Sequence, residues 1–204
     1  MRLASVRRFS AAWPGSTLLI LTALVWHGDT SSLDTALHNW ALNLNTSITI
    51  RLWESITLLG TVVVVGGLTF LSLGVFVARK QWQAARLLSI GMFGAVIWDN
   101  LFKWMIRRPR PEEFYPGTMP ATFSFPSGHA LYSFTFYVMM ASIISGQIDG
   151  KLAKLVWGTA ITLVLLIGAS RIFLGVHYAT DVLAGYLIGA AWLLFLLPSS
   201  KTQP

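Results

Sequence analysis

Six long apolar runs, separated by short polar connections, constrain this chain more than any other feature. A helix that crosses a bilayer needs about 20 mostly apolar residues. Runs that meet or approach that length lie at Trp13–Gly28, Ser55–Ala78, Ala84–Ile106, Gly128–Gly146, Leu152–Ser170 and His177–Leu197. Only 11% of the 204 residues are charged, against roughly 25% in soluble domains. So few charges cannot cover a water-exposed surface, and the mean hydropathy of +0.63 agrees. The expected fold is all-α: an integral membrane bundle of six transmembrane helices, one domain over residues 1–204.

Lysine and arginine set the expected orientation. With the N-terminus in the cytoplasm, the inside carries nine: Arg2, Arg7, Arg8, Arg79, Lys80, Arg86, Lys151, Lys154 and Lys201. The outside carries six: Arg51, Lys103, Arg107, Arg108, Arg110 and Arg171. Both termini are therefore expected in the cytoplasm. Arg2, Arg7 and Arg8 also suit a signal peptide, but no Ala-x-Ala site follows the first run, so that run is expected to be a retained helix. Between the first two runs, Asp34, Leu37, Trp40, Ala41 and Leu44 repeat at helical spacing, which predicts an amphipathic helix at the interface within 29–54. The net charge of +7 does not indicate nucleic acid, because the basic residues form short clusters between apolar runs and no stripe. The absence of cysteine removes disulfides, thiol nucleophiles and zinc–thiolate sites.

Five of the six outside cations fall in or beside just two segments, 103–110 and 171. The first cluster is Lys103-Trp-Met-Ile-Arg-Arg-Pro-Arg-Pro111. Lys103 and Arg107 are four apart and share a helical face; Pro109 and Pro111 stop the helix and hold Arg110 extended. The cluster suits either headgroup anchoring or an anion site. The second is Pro126-Ser-Gly-His129, at the start of the fourth run. Ser127 can act as N-cap, Gly128 lets a ligand approach the backbone, and free N–H groups there favour a phosphate-like anion. His129 stands beside them as a proton donor. A plain capped helix with an interfacial histidine is the alternative. The third is Ser170-Arg-Ile-Phe-Leu-Gly-Val-His-Tyr-Ala-Thr-Asp181. His177 and Asp181 are four apart, so on a helix they share one face, where the carboxylate can fix the imidazole tautomer and leave the other nitrogen free to attack; a plain interfacial His–Asp pair at a helix end is the alternative. Arg171 supplies a planar fork for phosphate oxygens. All three clusters are expected at one side of the membrane, an arrangement suited to covalent phosphoryl transfer.

The three clusters also carry a family resemblance. Lys103, Arg110 and Pro111 match K-x6-R-P, Pro126 to His129 match P-S-G-H, and Ser170, Arg171, His177 and Asp181 match S-R-x5-H-x3-D. In this the chain resembles the type 2 phosphatidic acid phosphatase superfamily, with the catalytic part at 99–181. The resemblance implies a membrane-integral lipid phosphatase acting through a phosphohistidine. His177 would be the nucleophile, Asp181 would orient and activate it, and His129 would be the general acid. Lys103, Arg110, Arg171, Ser127 and Gly128 would hold the phosphoryl oxygens. No metal and no cofactor is implied. Undecaprenyl diphosphate is the first substrate expectation, followed by phosphatidylglycerophosphate, phosphatidic acid and lipid A phosphates.

The expected partners are the lipid phosphate and the bilayer, with no nucleic acid and no obligate protein partner. The expected location is the cell membrane, with the site on its extracytoplasmic face. Two rivals differ in class: a non-enzymatic lipid-phosphate binder or transporter, and vanadate-dependent peroxidase chemistry, which six spans disfavour. Asp99 lies four residues before Lys103 and is expected to pair with it. Glu112 and Glu113 are expected as solvated loop charges or partners for Arg107 or Arg108. Trp98, Trp104, Tyr115 and Tyr178 are expected as interfacial aromatics.

Overall fold

The computed structural model describes residues 2–112, 122–148 and 150–197, with side chains from residue 13 onward. Within them the chain is helical throughout: α1 Arg2–His27, α2 Ser31–Asn43, α3 Ser47–Leu58, α4 Val62–Ala78, α5 Trp82–Ile106, α6 Gly128–Ser145, α7 Gly150–Phe173 and α8 Ala179–Leu196. Among the described residues, four stretches are long and apolar enough to cross a membrane: Ser47–Ala78, Trp82–Ile106, Gly150–Phe173 and Ala179–Leu196. The all-helical expectation holds, and helices stand at all six predicted runs.

The segment 29–54 departs from its expected form. It holds two helices, α2 and most of α3, and α3 leads into α4 after a three-residue interruption at Leu59-Gly60-Thr61. Thr46 and Thr49 form a reciprocal capping box at the start of α3, which satisfies donors that a helix start leaves open. Thr61 caps α4 by accepting from the Val64 N–H. A helix does stand at the predicted periodicity, as α2, and its buried side is Asp34, His38 and Ala41. A mainly polar buried side means that α2 is held by partners inside the protein, packed against α7 and α8.

Helix α6 is the centre of the bundle and packs against α4, α5, α7 and α8, while α1 lies on α8 and α3 on α7. The core along these seams is apolar, with Leu88, Ala95, Leu131, Met139, Ala184 and Ile188 buried. Outward-facing side chains such as Val63, Phe70, Leu155 and Phe195 are exposed and apolar, as a lipid-facing surface requires. In lipid, helices associate through close packing and not through the hydrophobic effect, so small residues mark their crossings. Gly94 lies against Trp192, Gly189 against Phe134, and Gly185 against the first turn of α6. The buried polar side chains gather at one end, where α5 and α7 finish and α6 and α8 begin.

Candidate active site

Each of the three sequence clusters sits at a helix end, and the bundle brings these ends together. Lys103 is in the last turn of α5 and its Nζ donates to Asp99 Oδ1 at 2.6 Å and Oδ2 at 2.7 Å. The expected intrahelical pair therefore forms. Asp99 also accepts from the Tyr132 hydroxyl of α6 at 2.7 Å, which ties the lysine to the neighbouring helix. Gly128 faces this pair: a Cβ there would lie 3.3 Å from Lys103 Nζ and 3.4 Å from Asp99 Oδ1.

Beyond Lys103 the chain does not follow the expected face. Helix α5 ends at Ile106, and Arg107 takes a left-handed conformation with φ 49° as its C-cap. That conformation costs a non-glycine residue about 1–2 kcal/mol. It also ends the i, i+4 relation with Lys103: Arg107 lies outside, its guanidinium 5.2 Å from the Trp104 ring centroid. The turn sends Arg108 and Arg110 inward instead. Arg110 is held by the carbonyls of Thr122 (2.7 Å), Phe123 (3.2 Å) and Val176 (2.7 Å). Its Nη1 also lies 3.1 Å from His177 Nε2. Burial lowers the Arg110 pKa, which Asp181 and Asp99 oppose.

His177 follows Gly175, whose φ of 73° is a conformation that only glycine adopts freely. This turn ends α7 and aims the Val176 carbonyl and the His177 ring at Arg110. His177 stands just before α8, so it and Asp181 do not share a helical face as expected. They meet across the N-cap residue instead. Asp181 Oδ2 lies 3.5 Å from His177 Nδ1, and the same oxygen accepts from the Tyr178 N–H at 3.0 Å and Ser124 Oγ at 2.5 Å. A guanidinium can only donate, so the Arg110 contact assigns the proton to Nδ1 and leaves Nε2 with its lone pair. Burial lowers the His177 pKa to about 4; Asp181 opposes that shift and Arg110 adds to it. At neutral pH the ring is thus a neutral base.

His129 is the second residue of α6, within the electrostatic reach of Arg171, His177, Lys103 and Arg110. Ser127 is the N-cap residue of α6 but makes no side-chain cap bond; its backbone N–H donates to the Asp181 carbonyl at 2.9 Å. The capping role expected of its hydroxyl is therefore corrected. Among the described residues its Oγ is buried without a partner, as is Nε of Arg171. Arg171 is 3% exposed and its Nη1 donates to Thr57 Oγ1 of α3 at 2.7 Å.

Several contributors carried no motif signal. Asp34, Thr57, Arg108, Ser124 and Thr180 all bond to site residues or to one another. Burial alone lowers the Arg108 pKa, but Asp181 and Asp34 outweigh it and raise it. Glu112 is exposed, as expected of a solvated charge, while Glu113 and Tyr115 lie outside the described residues. Trp98 packs on Phe102 and Trp192. Tyr178 lies under Arg108. Among the described residues, no group of three or more His, Cys, Asp or Glu is placed to hold a metal ion.

Similarity to known proteins agrees with this geometry. Residues 84–203 match the PAP2 superfamily. The chain belongs to the PAP2 superfamily. Phosphatidylglycerophosphatase B of Bacillus subtilis (strain 168) is 34% identical over 190 residues, covering 88% of each chain. Undecaprenyl-diphosphatase of Sulfolobus acidocaldarius is 32% identical over 107 residues, covering 50% of this chain and 48% of its own length. Among solved structures, the transmembrane PAP2 type phosphatidylglycerolphosphate phosphatase from Bacillus subtilis superposes with a TM-score of 0.84 at 28% identity, covering 92% of this chain and 94% of its own. The PAP2 protein described here is accordingly a membrane protein and a lipid phosphatase.

Proposed function

We propose that this protein removes a phosphate from a membrane lipid through a phosphohistidine on His177, at the extracytoplasmic face of a six-span bundle in the cell membrane. Both termini are then cytoplasmic. The observation that carries this reading is the two-sided environment of His177. Its Nδ1 faces Asp181 at 3.5 Å and its Nε2 faces Arg110 at 3.1 Å. A phosphoryl group bound to Arg110 would meet the lone pair of Nε2. The unpartnered Ser127 Oγ and Arg171 Nε add buried donors for its oxygens, and Lys103 adds a charge. Preorganised donors of this kind usually contribute most of the catalysis in phosphoryl transfer.

In the first step Nε2 forms a bond to phosphorus, the bond from phosphorus to the leaving oxygen breaks, and His129 gives that oxygen a proton. Asp181 stabilises the positive charge that develops on the imidazole. In the second step His129 takes a proton from water, the water oxygen attacks phosphorus, and the N–P bond breaks. Both steps use only water and the side chains named above.

A lipid substrate is supported by an apolar groove of about 590 Å³ between α4, α5 and α6, lined by Val65, Phe70, Leu73, Met92, Phe93 and Tyr132 among others. Tyr132 forms part of its wall, and its hydroxyl bonds to the partner of Lys103, so the groove adjoins the residues around Lys103. Phosphatidylglycerophosphate moves ahead of undecaprenyl diphosphate as substrate, because the relative named for it spans most of both chains, whereas the undecaprenyl-diphosphatase match covers half. The test is phosphate release by purified protein in detergent with EDTA, on phosphatidylglycerophosphate, undecaprenyl diphosphate and phosphatidic acid in parallel. Release that His177→Ala abolishes is expected. Release that EDTA removes, or that survives His177→Ala, refutes the mechanism.

A further inference from the structure

Arg108 stands at one of the six unspecified positions of the first motif, and Asp34 lies outside residues 84–203 altogether, yet they meet behind the His177–Asp181 pair. Arg108 Nη1 donates to Asp181 Oδ1 at 2.7 Å and to Thr180 Oγ1 at 2.8 Å, and its Nη2 donates to Asp34 Oδ2 at 2.6 Å. Thr180 closes the ring: its hydroxyl donates to Asp34 Oδ2 at 2.6 Å and its N–H to Asp34 Oδ1 at 3.2 Å. The guanidinium also lies 4.3 Å over the Tyr178 ring. Asp34 is 1% exposed and Asp181 is fully buried. One cation thus serves two buried carboxylates, in a planar geometry that lysine cannot reproduce.

We propose that Arg108 and Asp34 are positioning residues for the reaction, a charge-balanced clamp that keeps Asp181 ionised and turned toward His177. The inference rests on the phosphohistidine reading above. Arg108 occupies Oδ1 of Asp181, so Oδ2 alone is left to face Nδ1 of His177. Without Arg108, two carboxylates linked through Thr180 share a buried space with no cation bonded to either, which drives one of them to take up a proton. A protonated Asp181 would donate to Nδ1, which moves the imidazole proton to Nε2 and removes the attacking lone pair. Asp34 has the complementary part. It balances Arg108, so that the guanidinium does not cancel the field of Asp181 at the imidazole as positive charge develops there. Through Asp34, helix α2 becomes part of the catalytic apparatus.

The test compares Arg108→Met, Asp34→Asn and the double variant with wild type. It uses phosphate release from phosphatidylglycerophosphate and undecaprenyl diphosphate, with kcat and KM resolved separately. Arg108→Met is expected to lower kcat by about 10–100-fold, the cost that losing an outer partner carries at metal-bound histidines. KM is expected to stay unchanged, because Lys103, Arg110 and Arg171 hold the anion. Asp34→Asn alone is expected to lower kcat severalfold, again at constant KM. The double variant has Asp181 as its sole carboxylate in the clamp, and it is expected to be faster than Arg108→Met. Wild-type kcat in either single variant overturns the proposal. So does a double variant no faster than Arg108→Met, the result of a merely structural role, or a KM that rises as kcat falls, which would place Arg108 in the anion pocket. If Arg108→Met does not fold, Asp34→Asn carries the test. Absence of release by wild type refutes the phosphatase mechanism instead and is distinct from each of these results.

Discussion

Gly185→Ala puts the crossing that assembles the site under direct strain. A Cβ at Gly185 would lie 2.8 Å from the Ser127 carbonyl oxygen, 3.0 Å from Ala130 Cβ and 3.0 Å from the Leu131 backbone nitrogen. Ordinary contact begins near 3.4 Å, so the shortfall is about 0.6 Å at the oxygen. None of the three neighbours is the free end of a long side chain, so the helices themselves must part. Overpacking of this kind costs typically about 1–3 kcal/mol. The consequence for turnover is more specific. Helix α8 carries Asp181 and α6 carries Ser127 and His129, and the Ser127 N–H bonds to the Asp181 carbonyl across this seam at 2.9 Å. Parting the seam moves His129, the proposed proton donor, away from Asp181, the proposed support of the nucleophile. A misplacement of about 1 Å can cost on the order of 100-fold in rate, so a shift near half that size is expected to cost about 10-fold in kcat. Gly158→Ala is the control, since a Cβ there meets nothing within 4 Å, and replacing an open helical glycine gains up to about 1 kcal/mol. Phosphate release and thermal unfolding in detergent read both effects. A Gly185→Ala protein with wild-type kcat and unfolding temperature would refute the claim that this crossing sets the site geometry.

Ser127→Ala is expected to leave the unfolding temperature nearly unchanged, because Oγ makes no cap bond, while kcat/KM falls by about 10-fold or more through loss of a phosphoryl donor; a fall in thermal stability with kcat/KM intact would reverse that assignment. His177 has a folded pKa of about 4, below its ordinary value near 6.5. Between those values the unfolded chain binds a proton that the folded protein does not, so the His177 contribution to stability is present above about pH 6.5 and declines toward pH 4. Unfolding temperatures of wild type and His177→Gln across that window test this: the pH slope is expected to lessen in the variant, and identical slopes would contradict it. Lys103→Arg is expected to lower kcat/KM despite retaining the charge, because Asp99 holds a compact ammonium at both oxygens; full activity in this variant would show that charge alone suffices there.

The sequence by itself determined what local geometry determines. Long apolar runs require helices because a bilayer leaves backbone groups no other partner, and helices stand at each of the six runs. The Asp99–Lys103 pair follows from four-residue spacing on one helix. The motif residues were legible through their match to the three spaced motifs of the family the chain belongs to. Tertiary structure decided the rest. Periodicity could not reveal that Asp34 would reach Thr180, or Thr57 would reach Arg171, because those bonds join residues 146 and 114 apart. It could not separate Arg107 from Arg108 either. A left-handed turn sends one outside over Trp104 and the other to two buried carboxylates. Which helices meet is fixed by close packing at small residues such as Gly185, and only that packing decides which buried charge finds which partner.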